Sequence, residues 1–331
     1  MNNLIGNSLH ELDTFREGAV VTISGPPDKY IADGWVAGLK SSDPAAVVKA
    51  CRATASPPLS LDGNLLLQVT GNTGALSAGD YLGFHHAIEA LELVDLNLGD
   101  PSADTLYMAF QARCSEAPYT FAAIFLNGAL NRAFPVNFTI TEANVWQPFS
   151  ATIPGDTEGT WTVPGIGPGA FLRFGVTGGS NFVGMSGTWN SGANVVVTPD
   201  CCNSLLQTMG ATFEVGDVAL ATLSTVSKRG SASDLFVRMQ RYLTKSYDQG
   251  VALGSVTDNG AVSPGDVRFA VPQRAEPVVT LYSPKSGTPG MAFDYINGVD
   301  VPATVLRTGT RGFTWSASRG GGRQCRCAFL R

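Results

Sequence analysis

Leu106-Tyr107-Met108-Ala109-Phe110-Gln111-Ala112-Arg113 is the stretch on which the fold turns. Successive side chains of a strand point to opposite faces. Leu106, Met108, Phe110 and Ala112 therefore share one face, and Tyr107, Ala109, Gln111 and Arg113 the other. Phe134, Val136, Phe138 and Ile140 repeat the alternation against Pro135, Asn137, Thr139 and Thr141. Leu172, Phe174 and Val176 do so again, as do Phe149, Ala151 and Ile153. A period of two implies strands with one buried and one wetted face. Turn clusters separate the runs at Gly25-Pro26-Pro27-Asp28, Asp62-Gly63-Asn64 and Asn127-Gly128. The expected fold class is all-β: two packed antiparallel sheets forming a jelly-roll β-sandwich, then one helix and a smaller C-terminal β domain.

Composition agrees and narrows the function. The chain has 331 residues, with 38 Gly, 19 Pro and a charged fraction of 15%. Short strands joined by tight turns explain this better than long helices do. A formal charge of −5 and a pI near 5.2 argue against nucleic acid as a partner, because binding a phosphate backbone relies on Lys and Arg that displace counterions. No segment reaches the roughly 20 apolar residues of a membrane-spanning helix, so no membrane insertion is expected. The opening Met1-Asn2-Asn3-Leu4 lacks the basic start and apolar run of a secretory signal.

Cys51, Cys114, Cys201, Cys202, Cys325 and Cys327 are scattered too widely for the disulfide framework of a small secreted domain, and reduced thiols are expected. Cys325-x-Cys327 would share a strand face, but His10, His85 and His86 all lie far away in sequence. No metal and no cofactor are expected.

One segment departs from the β rhythm. From Ser233 to Tyr247, Leu235, Met239, Tyr242 and Leu243 fall on one helical face, with Ser233 as N-cap and Gly250 as stop. Lys228-Arg229-Gly230-Ser231 before it marks a boundary, giving domains at 1–228 and 229–331. Strand patterns return at Val267–Val271, Val278–Tyr282 and Phe313-Trp315-Ala317.

The candidate site lies on turns. Gly159-Thr160-Trp161 and Gly187-Thr188-Trp189 each set a tryptophan after Gly-Thr, in segments too rich in Gly, Pro, Asn and Asp for helix. Indole packs on the C–H face of a sugar, while amide and carboxylate groups take its hydroxyls. Trp161, Trp189, Asn181, Asn190 and Asp156 are therefore the glycan-contact candidates, with Glu158 beside them. Trp35 and Trp146 fall within or at the edge of strand patterns and read as core. His85 and His86 sit on one strand facing opposite ways, so they cannot share a task. Asp156 and Glu158 lie on one loop, whereas a glycosidase needs carboxylates flanking the scissile bond. No catalytic residue is assigned.

Asn3-Leu4-Ile5-Gly6-Asn7 followed by Tyr30-Ile31-Ala32-Asp33-Gly34-Trp35 resembles the opening of a phage tail-fibre and head-spike family, also found in gene transfer agents. Asn144-Val145-Trp146, Ile153-Pro154-Gly155-Asp156, the two Gly-Thr-Trp turns, Arg241-Tyr242, Lys245-Ser246-Tyr247 and Pro277–Pro284 follow in the family's order. The chain departs from it at Gly216-Asp217-Val218-Ala219-Leu220 and at Met239-Gln240-Arg241-Tyr242-Leu243. The resemblance implies a jelly roll similar to carbohydrate-binding modules, carried at the virion surface. It further implies a non-enzymatic role in attachment to host cell-surface or capsular polysaccharide. The implied partners are that polysaccharide and the capsid, portal or baseplate proteins, with the chain present as a homo-oligomer or in many copies. The competing expectation is a structural decoration or connector protein that meets no glycan.

Overall fold

The computed structural model describes residues 3–10, 13, 16–55, 57–58, 63–161, 167–192, 194–202, 204–222, 236–237, 240–241, 244–247, 251, 254–256, 261–273, 275–318 and 325–330. The chain forms two compact units, Met1–Leu235 and Phe236–Arg331. The boundary expected at residues 228 and 229 lies outside the described residues, as do Leu235, Met239, Tyr242 and Leu243 of the expected helical face. Phe236, Val237 and Gln240 are helical.

The first unit is a β-sandwich. One sheet has six strands: β1 (Val21–Ile23), β4 (Val47–Ala53), β5 (Asn64–Gly71), β13 (Thr212–Ala221), β7 (Leu106–Cys114) and β10 (Gln147–Ile153), in that spatial order. The other has seven, in the order β12 (Asn190–Ser191), β9 (Arg132–Ile140), β8 (Tyr119–Asn127), β11 (Pro168–Gly178), β6 (Tyr81–Glu89), β3 (Trp35–Lys40) and β2 (Lys29–Ala32). All strand pairs within the two sheets are antiparallel.

The alternation that opened the sequence places Met108 and Phe110 between the sheets. There Phe110 meets Phe121, Phe138, Phe149 and Phe174 at ring-centroid distances of 4.9–6.0 Å. Trp35 is fully buried in the same core, as its strand position implied. Truncating a ring of this kind costs about 3–5 kcal/mol.

The Asn residues of the N-terminal motif have structural tasks. Asn3 Oδ1 accepts from the Ile5 and Leu220 amides, and its Nδ2 donates to Val218 O, so the segment is fastened to β13. Asn7 Nδ2 donates to Asp33 O, and Trp35 Nε1 donates to Asn7 O. These bonds tie together the two motifs on which the family resemblance begins.

One expectation fails on the seven-stranded sheet. Pro135 was expected on the wetted face of β9, yet it is buried, as are Ala122, Ile124 and Leu126 on the same face of the neighbouring β8. The chain after β11 folds back over that face, and Val195, Val196, Val197 and Cys201 pack against it as a second core. Small apolar residues facing outward on β8 are what such a cover requires.

The second unit holds a five-stranded antiparallel sheet in the order β14 (Gly265–Arg268), β18 (Gly312–Ala317), β17 (Val299–Gly309), β16 (Met291–Asp294) and β19 (Cys325–Arg326). Beside it β15 (Thr280–Tyr282) pairs with β20 (Ala328–Leu330). Phe269, Leu281, Phe313, Trp315 and Phe329 form its core, and Cys325 and Cys327 are buried there as free thiols. Burial raises the Cys327 thiol well above its ordinary range, so it serves as a small apolar side chain.

Candidate functional site

The two loop tryptophans close one end of the sandwich. Trp161 stacks on Phe125 at 5.5 Å, and Trp189 meets Trp161 edge-on at 5.9 Å. Both rings are half-buried, and both N–H groups are used internally: Trp161 Nε1 donates to Asp156 Oδ2 (3.0 Å) and Trp189 Nε1 to Pro154 O (3.0 Å). Asp156 is wholly buried. Its carboxylate accepts from Arg132 Nε at 2.8 Å and from Arg132 Nη2, while Arg132 itself lies 5.6 Å over the Trp189 ring. Asp156 is thus a brace for the indole pair and cannot reach a ligand.

Asn190 spends its side chain on its own turn. It accepts from the Met185 amide (2.8 Å) and donates to the Met185 and Thr188 carbonyls (both 2.9 Å). Asn181 is exposed but lies beyond Gly178, the far end of β11, whereas Pro168 begins β11 on the tryptophan side. Trp161 and Trp189 pack on Phe125, which pairs with Leu172 of β11, and at roughly 3.3 Å per residue the strand from there to Gly178 spans about 20 Å. Trp161, Trp189, Asp156 and Asn190 come together, and Asn181 does not join them. Trp146, at the sandwich edge, is half-buried with Arg113 4.9 Å over its ring.

A different group of residues forms a concave site on the outer face of the seven-stranded sheet. Phe84 and Phe174 point into the core, so the alternate residues Tyr81, Gly83 and His85 on β6, and Phe171, Arg173 and Gly175 on β11, point outward. In register, Gly38, Gly83 and Gly175 form a row without side chains across β3, β6 and β11. Next to it, His85 and Arg173 face each other. The turn before β2 lays the Asp28 carboxylate over Gly38, where an added Cβ would meet it at 2.7 Å. Val196 and Asn194 of the returning cover close another side. The result is a cavity of about 210 Å³ with Phe171, Tyr81 and Val196 as apolar surface and Asp28, His85, Arg173 and Asn194 as polar groups.

The cavity changes its own electrostatics. Tyr81 donates its hydroxyl to Asp28 Oδ1 (3.2 Å), and burial together with the Asp28 charge pushes its pKa up to about 12. Burial raises the Asp28 carboxyl above the usual range, partly offset by the Tyr81 hydrogen bond and the Arg173 charge. Burial, then the Arg173 charge, lowers His85 to about 4, which leaves a neutral imidazole 3.9 Å from Asp28. Arg173 is lowered to about 10 by burial and stays charged at neutral pH. Its Nη1 donates to Asn194 Oδ1 (2.6 Å) and Val195 O (2.7 Å). Among the described residues, no carboxylate lies within 4.0 Å of it, and its Nε and Nη2 have no hydrogen-bond partner.

Such a site suits a polar ring. Phe171 and Tyr81 offer faces and edges for C–H groups, while Asp28, His85, Asn194 and Arg173 supply acceptors and donors for hydroxyls. His85 faces this cavity and His86 the interior, where His86 Nδ1 lies 2.8 Å from Gly34 O, as alternation on a strand requires. Sequence reasoning gave Tyr81 and Arg173 no role in a site, and it weighed His85 with His86 and set both aside. The available signal was the outward spacing of Tyr81, Gly83 and His85, but its meaning depends on β6 lying beside β11.

No family model matches the chain, and no curated protein sequence matches it. Among solved structures, it is similar to a putative sugar-binding protein from Bacteroides thetaiotaomicron at 10% identity and a TM-score of 0.36, over 66% of this chain and 99% of that one. It is similar to the enzymatically active domain of tailspike protein 4 from bacteriophage CBA120 at 14% identity and a TM-score of 0.35, over 66% of this chain but 21% of that one. A family 11 carbohydrate-binding module from Clostridium thermocellum, in complex with a β-1,3-1,4-mixed-linked tetrasaccharide, matches at 12% identity and a TM-score of 0.30, over 61% and 94% of the two chains. The chain spans about a fifth of the tailspike domain.

Proposed function

We propose that this protein is a non-enzymatic attachment protein on a phage or gene transfer agent particle, and that its sheet-face cavity binds cell-surface polysaccharide. The observation that carries the reading is the convergence of Phe171, Tyr81, Asp28, His85, Arg173 and Asn194 on one 210 Å³ cavity at the protein surface. Arg173 retains unused donors within it, a feature that structural packing does not call for. The ordered motifs from Asn3 to Pro284 support the particle role. Shallow sites repeated over many copies would hold the particle by avidity.

Asp28 is the one carboxylate among the cavity's lining residues, so the paired carboxylates of glycoside hydrolysis are not at hand. Tyr81, with its pKa raised to about 12, is a poor base at neutral pH. The indole pair of Trp161 and Trp189 takes the role of a brace supporting the sandwich end. Glycan-array binding by the purified protein, with and without Arg173→Gln and Phe171→Ala, tests the reading. Loss of a glycan signal in folded variants supports it, and absence of any glycan signal in the wild type refutes it.

A further inference from the structure

The two units divide the charge of the chain unevenly. Residues 1–235 carry ten Lys and Arg against twenty-one Asp and Glu, a formal charge of −11. Residues 236–331 carry twelve against six, a formal charge of +6. Within the second unit, three of these cations gather at the tip of one hairpin.

β17 turns into β18 through Thr310-Arg311, and β14 lies along the other edge of β18. Phe313 and Trp315 of β18 face the core, so Gly312 and Thr314 face away from it. Arg268 is the cross-strand partner of Gly312, and Arg307 that of Thr314, which puts both arginines on this outer face. Gly309 pairs with Gly312, leaving a floor without side chains between them. The three arginines, including Arg311 from the turn, border a shallow dish of about 450 Å³.

All three arginines are exposed, and among the described residues none forms an ion pair or a side-chain hydrogen bond. Two acids stand at the dish, each engaged by a threonine hydroxyl: Asp266, which lines it, accepts from Thr314 at 2.6 Å, and Glu276 accepts from Thr308 at 2.5 Å. An acid directly across the strand would stabilise an arginine, but here the opposite residues are glycine and threonine. Three guanidinium groups without an ion-pair partner outnumber the one carboxylate that lines the dish, and an anion placed among them relieves their mutual repulsion.

We propose that this dish binds an anionic group, carboxylate or phosphate, of an acidic polysaccharide, so that the second unit is a glycan contact in its own right. A protein partner would call for an apolar anchor, and Phe313 beneath the floor is only 4% exposed. Forked donors and a flat glycine floor suit a sugar ring bearing one charge.

Calorimetric titration of the full chain with an oligogalacturonate, with the carboxyl-reduced neutral oligomer and with polyglutamate tests this. The acidic sugar is expected to bind, with affinity falling as salt rises from 50 to 300 mM, and the neutral oligomer at least tenfold more weakly. In Arg268→Gln/Arg307→Gln/Arg311→Gln, acidic-sugar affinity is expected to fall at least tenfold. The triple lysine variant keeps the charge and loses the fork, so an intermediate loss is expected; it also serves should the glutamine variant fail to fold. Undiminished binding by both variants, equal binding of the neutral oligomer, binding of polyglutamate as tight as that of the sugar, or no binding of the acidic sugar would each overturn the proposal.

Discussion

Arg173 and His85 stand directly opposite each other on β11 and β6, a guanidinium and an imidazole on one outward face of the sheet. Burial, and after it the arginine's charge, keeps the imidazole neutral. In the unfolded chain His85 titrates near 6.5, and in the native protein near 4. Its contribution is therefore intact above pH 6.5 and is lost as pH falls toward 4, by about 3 kcal/mol at most. His10, fully buried and lowered to about 3, acts in the same direction. The raised Asp28 carboxyl acts oppositely and softens the loss. Melting temperatures between pH 7 and 4 should fall more gently for His85→Gln than for the wild type; parallel curves would count against the neutral imidazole.

The Arg132–Asp156 pair is the second testable point. Both side chains are nearly buried, and Trp161 donates to the same carboxylate. Asp156→Ala leaves the Arg132 guanidinium with Ser191 and the exposed Glu158 alone and the Trp161 indole N–H without its acceptor, so a loss of about 3 kcal/mol is expected. Denaturant unfolding measures it. Loss of glycan binding by Asp156→Ala while it stays fully folded would return the site to the sandwich end.

Gly175 tests how the cavity is closed. A Cβ there would overlap the Val196 carbonyl oxygen at 1.5 Å, which the backbone can relieve only by moving. Gly175→Ala should displace Val195–Val197 from the sheet, destabilise the protein by about 1–3 kcal/mol and open the cavity. Faster amide exchange at Val196 and Val197 would report it. Unchanged protection there would show that the cover adapts without leaving.

Much of the sandwich was legible because alternation needs only local sequence. Met108 and Phe110 announce a buried face by themselves, and Gly25-Pro26-Pro27-Asp28 announces a turn. The cover over β8 was not legible, since Ala122, Ile124 and Leu126 are outward positions whose partners Val195–Val197 lie about seventy residues away. The tryptophans drew attention because indole on a turn is conspicuous, yet their N–H groups are satisfied by Asp156 and Pro154. The cavity was missed for the reverse reason. Asp28, His85 and Arg173 are unremarkable one by one, and it takes the β3–β6–β11 register to gather them.

The most direct measurement is glycan-array binding by the wild type beside the Phe171→Ala/Arg173→Gln protein, each first shown to be folded by its unfolding curve. Removing a ring face and a charged donor from a sugar site should weaken binding by tenfold or more, equivalent to at least about 1.4 kcal/mol. Trp189→Phe, which keeps an aromatic ring in the brace, should bind as the wild type does. Equal binding by the double variant, or a wild-type protein that binds no glycan, would contradict the assignment of the sheet-face cavity.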